Sequence, residues 1–142
     1  MNDALGYNGK NVVITGAASG MGEAAAQLLV DAGAQVYALD IADVSVPVAA
    51  SIKVDMKDGA SIDAAMEQLP QEIFALFNCA GVPSPPFPMI DTVLINFTGL
   101  RYLTEGLMDR IGEGGGIASI ASTAGMGWRP NLERLKAFLA LD

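Results

Sequence analysis

Eight consecutive residues, Thr15-Gly16-Ala17-Ala18-Ser19-Gly20-Met21-Gly22, set three glycines directly after the apolar run Val12-Val13-Ile14. A helix-forming segment begins immediately behind them. Glycine lets the backbone turn sharply and approach a bulky group closely. The helix that follows aims its free N–H groups and its positive dipole end into the turn. Such an arrangement suits a pyrophosphate. The spacing is T-G-x-x-x-G-x-G, which differs from the common G-x-G-x-x-G.

Asp40 closes the second apolar run, residues 35–39. At that place a carboxylate can accept both hydroxyls of an adenosine ribose. Its charge would repel a phosphate carried on the same sugar. Ser19 and Ile41, where a compensating cation would stand, are both uncharged. NAD is therefore expected rather than NADP.

The glycine spacing and four later positions resemble the short-chain dehydrogenase/reductase family. The resemblance extends over essentially the whole chain. It implies that Asp55, in Val54-Asp55-Met56, meets the adenine amine, with Met56 lending a backbone donor. Asn78-Cys79-Ala80-Gly81 looks like the family's N-N-A-G element, which passes beneath the cofactor ribose while Asn78 braces neighbouring backbone. Cys79 itself reads as a small buried residue, with no cation nearby in sequence to activate it. Asn96, in Ile95-Asn96-Phe97-Thr98-Gly99, would kink its helix and hold a water in a proton relay. Ser122, in Ile120-Ala121-Ser122-Thr123-Ala124-Gly125, would orient a substrate carbonyl and steady charge on its oxygen. Ser119 and Thr123 lie close by, but the trailing Thr-Ala-Gly favours Ser122. The implied cofactor site is Gly16, Ser19, Gly20, Met21, Gly22, Asp40, Asp55, Met56, Asn78, Ala80 and Gly81. Ser122 and Asn96 are the implied catalytic residues, and no metal is expected.

The family's tyrosine, followed four residues later by a lysine, is missing. Tyr7, Tyr37 and Tyr102 are followed at that spacing by Asn11, Ile41 and Gly106, and all three precede Ser122. Two readings remain open. In one, the 142 residues are the N-terminal part of an NAD-dependent dehydrogenase acting on a secondary alcohol or ketone, steroidal or aromatic. In the other, the chain is a catalytically incomplete dinucleotide-binding module. The short interval from Asn78 to Asn96 and the Gly127-Trp128-Arg129 segment resemble a bacterial subgroup. That subgroup contains 3α-hydroxysteroid dehydrogenase/carbonyl reductases and coniferyl-alcohol dehydrogenases. The resemblance further implies a homodimer or homotetramer.

These side chains need a scaffold that gathers them. Apolar runs at 10–15, 35–39, 51–54, 72–77 and 114–121 read as strands. Residues 21–32, with Ala25, Leu28, Leu29 and Ala32 on one face, read as a helix stopped by Gly33. Ile62, Ala65, Met66 and Leu69 mark a second helix. Val93, Phe97, Leu100, Thr104, Leu107 and Ile111 mark a third, reaching about residue 110. Residues 82–88 are a Pro-rich loop, and 131–141 a last amphipathic helix. Strict alternation of strand and helix predicts an α/β fold: a doubly wound, Rossmann-type parallel sheet in three layers, one domain over 1–142, incomplete on its C-terminal side. The strands would end at Thr15, Asp40, Asp55, Asn78 and Ser122, along the edge where such sheets bind ligands.

Composition excludes other classes. The chain is 51% hydrophobic and 17% charged, with net charge −8 and no histidine. Nucleic acid and anionic membrane are poor partners for so acidic a chain. Lack of histidine removes the Ser-His-Asp triad and most zinc sites. One cysteine, a Met1-Asn2-Asp3-Ala4 start unlike a signal peptide, and no spanning apolar run point to the cytoplasm.

Overall fold

The computed structural model describes residues 5–140. Five strands form one parallel sheet: β1 (Asn11–Thr15), β2 (Gln35–Asp40), β3 (Ala50–Lys53), β4 (Ile73–Asn78) and β5 (Ile111–Ser119), in the order β3-β2-β1-β4-β5. Helix α1 (Gly20–Asp31) joins β1 to β2, and α2 (Gly59–Met66) joins β3 to β4. Parallel strands are joined by crossovers rather than by tight hairpins. Side chains alternate across β1. Val12 and Ile14 pack with Ala26 and Leu29 of α1, while Val13 faces Ile62 and Ala65 of α2 together with Leu103 and Leu107. Both faces of the central strands are thus covered, as the doubly wound reading requires, while β5 is largely exposed. Each of the valines, leucines and isoleucines in these contacts contributes about 1.5–3 kcal/mol on burial. Among the described residues no helix is long and apolar enough to cross a membrane.

The predicted single helix from Val93 to residue 110 is in fact four short pieces. They are α3 (Met89–Val93), a π-helical turn (Leu94–Gly99), α4 (Leu100–Leu107) and a 3-10 turn (Met108–Arg110). The wide turn shifts the phase of the buried stripe to Gly99, Leu103 and Leu107, leaving Phe97 37% exposed. The turn is closely packed: a Cβ on Gly99 would strike the Met56 carbonyl oxygen.

Two strand ends also differ. β3 stops at Lys53, two residues before Asp55. β5 runs Ile111–Ser119 rather than 114–121, because Ser119 pairs with Asn78 at the end of β4. Ile111, expected on the helix, starts the strand instead. Ser122 lies beyond the sheet, as N-cap of a 3-10 segment (Thr123–Asn131) that leads into α5 (Leu132–Leu139). Leu69 sits past the end of α2, yet is buried. Residues 1–4, and Leu141 and Asp142 at the foreseen end of the last helix, lie outside the described residues.

Candidate functional site

After β3 the chain crosses to the other side of β1 to lay down β4. Loops leaving β1 and β4 therefore part in opposite directions and open a crevice at their carboxyl ends. A cleft of about 470 Å³ lies there. Ten of the sequence-predicted residues line it: Gly16, Ser19, Gly20, Met21, Gly22, Asp40, Asp55, Met56, Ala80 and Gly81.

Close backbone packing shapes its floor. Gly16 has φ +70°, and a Cβ there would stand 2.7 Å from the Ala80 Cα. A Cβ on Gly22 would drive into the Gly16 carbonyl oxygen. Thr15, buried at the end of β1, accepts the N–H groups of Cys79 (3.1 Å) and Ala80 (3.0 Å) on Oγ1. One hydroxyl thus ties the β1 and β4 ends together. At the start of α1, the N-cap Ser19 makes no side-chain capping bond. Gly20, Met21 and Gly22, the first turn of this twelve-residue helix, line the cleft, and N–H groups at that place have no intrahelical acceptor.

Asp40 is held from two sides. Its Oδ2 accepts the Ala18 N–H and its Oδ1 the Ala42 N–H, each at 2.9 Å. A carboxylate has about four acceptor positions, so it can take further donors. Asp55 accepts the Lys57 N–H on Oδ1 at 2.9 Å, while its own N–H donates to Ser61 Oγ at 3.0 Å.

The three remaining predicted residues stand outside the cleft lining. Asn78, 1% exposed, donates through Nδ2 to Thr104 Oγ1 (3.0 Å) and Ser119 Oγ (3.2 Å), bracing the sheet against α4. Asn96, inside the π-helical turn, closes a two-way amide pair with Val82: it accepts the Val82 N–H at 2.8 Å and donates to the Val82 carbonyl at 2.9 Å. Val82 is itself a cleft residue, so Asn96 fixes one wall from behind. Ser122 is exposed, and its Oγ accepts the Ala124 N–H at 3.1 Å.

Phe87, in the Pro-rich loop expected to wall a pocket, lines the cleft, and so do Lys57 and Asp91, which escaped the sequence reading. Lys57 had one available signal, its place two residues after Asp55. Asp91 had none, because its neighbours come from a segment distant in sequence. Cys79 forms part of the wall, and burial pushes its thiol above the ordinary 9.0. It is therefore held as a thiol, in keeping with a packing role.

A family model described as short chain dehydrogenase matches residues 10–133. Coniferyl-alcohol dehydrogenase of Pseudomonas sp. is 37% identical over 87% of this chain and 48% of its own length. The 2,3-dihydro-2,3-dihydroxybenzoate dehydrogenase of Bacillus subtilis is 33% identical over 86% of this chain and 56% of its own. The 3-ketoacyl-(acyl-carrier-protein) reductase of Brucella melitensis, solved with NADH, superposes with TM-score 0.72 at 28% identity. That match covers 92% of this chain and 64% of the reductase. The chain thus spans about half the length of the curated relatives it matches.

Proposed function

The chain belongs to the short-chain dehydrogenase family, and on that premise we propose that residues 1–142 form the NAD-binding unit of an alcohol dehydrogenase. The observation that carries this reading is the floor of the cleft. Gly16 and Gly22 leave no room for a Cβ, so backbone lies bare beneath the uncapped start of α1. A pyrophosphate fits such a cradle. Asp40 would take the ribose hydroxyls on its remaining acceptor positions, and Asp55 with Met56 would face the base. Bound NAD supplies hydride exchange with a secondary alcohol or ketone.

This chain's residues would bind and orient around that exchange. Ser122 would hold the substrate oxygen through its hydroxyl, with Asn96 anchoring the proton relay behind Val82. Phe87, 42% exposed at the cleft, favours an apolar substrate, steroidal or aromatic. A homodimer or homotetramer in the cytoplasm completes the proposal.

The second reading is a dinucleotide-binding module, since among these 142 residues no tyrosine stands four residues ahead of a lysine. A dinucleotide-binding module without a positioned proton donor would forgo roughly 100- to 10,000-fold in rate. Titration with NADH, followed by nicotinamide fluorescence, tests what both readings share. Saturable binding that NAD displaces, and NADP displaces at least about tenfold more weakly, is the expected result. Absence of binding by NAD and NADH would overturn both. Alcohol-dependent NADH formation by the full-length protein then separates them.

A further inference from the structure

We propose that Lys57 and Asp91 form a clasp across the base-binding end of the cleft, and that the Lys57 ammonium tightens its grip on the dinucleotide. The inference rests on the dinucleotide-binding reading above. Lys57 Nζ stands 3.2 Å from Asp91 Oδ2, bridging the loop after β3 and the first turn of α3. Four ion pairs join described residues, and only this one has both partners in the cleft wall.

Charge gives the pair its meaning. The lining holds three carboxylates, Asp40, Asp55 and Asp91, against one cation, Lys57. A dinucleotide brings two further negative charges on its pyrophosphate. Without Lys57 every formal charge around the ligand would have the same sign. Position is fixed as well as charge. The Lys57 N–H is held by Asp55 Oδ1, and the Met56 carbonyl is seated against Gly99. Backbone on both sides is thus set, and Asp91 holds the flexible ammonium at the cleft wall. The side chains are 38% and 28% exposed, so dissolved salt screens the pair.

NADH affinity of the full-length protein, measured at low and at high salt, tests the clasp. Lys57→Met is expected to weaken binding about three- to tenfold at low salt, with the difference fading at high salt. Asp91→Asn should weaken it less, and the double variant should lose less than the two single losses combined, since the residues act as a pair. Lys57→Met binding within about twofold of the parent at low salt, or strictly additive losses, would overturn the clasp. A parent protein that binds NADH separates that outcome from failure of the dinucleotide reading, which would take the clasp with it.

Discussion

The Asp40 carboxylate and the Ala18 backbone amide meet at 2.9 Å, across twenty-two residues of chain. Asp40 therefore braces the glycine turn as well as presenting charge to the cleft. Asp40→Asn keeps one oxygen acceptor and removes the charge. It is expected to bind NAD about tenfold more weakly and to narrow the gap to NADP. Asp40→Ala also frees the Ala18 and Ala42 amides, and should lower unfolding stability by about 1–3 kcal/mol. Parallel NAD and NADP titrations, with urea denaturation, check both. An unchanged cofactor preference would remove Asp40 from the binding site.

Gly22→Ala places a methyl group against the Gly16 carbonyl oxygen, where only backbone could yield. A stability loss of about 1–3 kcal/mol is expected, together with loss of dinucleotide binding. Gly59→Ala is the control, because a Cβ there meets nothing within 4 Å. That variant should be neutral or gain a few tenths of a kcal/mol up to about 1. Similar midpoints for the two variants would show that the turn is not closely packed.

Cys79 should react slowly with iodoacetamide at neutral pH, since burial keeps the thiol protonated beyond 9.0. The rate should climb as the medium is made alkaline, because the thiolate is the nucleophile. NADH should slow it further, Cys79 being part of the cleft wall. Rapid labelling at pH 7 that NADH leaves unaltered would contradict this placement.

Tyr102 donates its phenol proton to Asp63 Oδ1 at 2.9 Å, and that bond, with the carboxylate's charge, raises the phenol above 10.0. The folded chain thus keeps a proton that the unfolded chain releases sooner. Stability from the contact is complete below about pH 10 and is lost as pH rises through the folded value. Tyr102→Phe should remove this alkaline decline. Denaturation midpoints of both proteins across that interval, beside a phenolate absorbance titration, provide the measurement.

Ser122→Ala in the full-length protein should cut turnover by about 100- to 1,000-fold, the scale of losing one oxygen-stabilising donor. NADH affinity should stay within about twofold, since Ser122 does not line the dinucleotide cleft. Equal turnover would discredit the assignment.

Much of this was legible locally. Val12-Val13-Ile14 followed by three glycines announces a buried strand, a tight turn and a helix start, because each preference acts over a few residues. The end of β2 at Asp40 is legible for the same reason. The π-helical turn is not, and its Gly99 packs against the Met56 carbonyl of a segment distant in sequence. The limits of β5 are hidden in Gly114-Gly115-Gly116, which has little strand preference of its own. Pairing of Gly116 with Ala75 and Ser119 with Asn78 fixes them instead. Asp91 reaches Lys57 only through the fold, so no spacing rule reveals the pair.

The crossing from β3 to β4 has a wider consequence. Opposing walls of the cleft come from segments that meet only when β1, β2 and β4 are all seated side by side. Occupancy is consequently linked to folding as a whole. A ligand at one hundred times its dissociation constant would deepen the native basin by about 2.7 kcal/mol, and amide exchange should slow throughout the central strands, far from any contact.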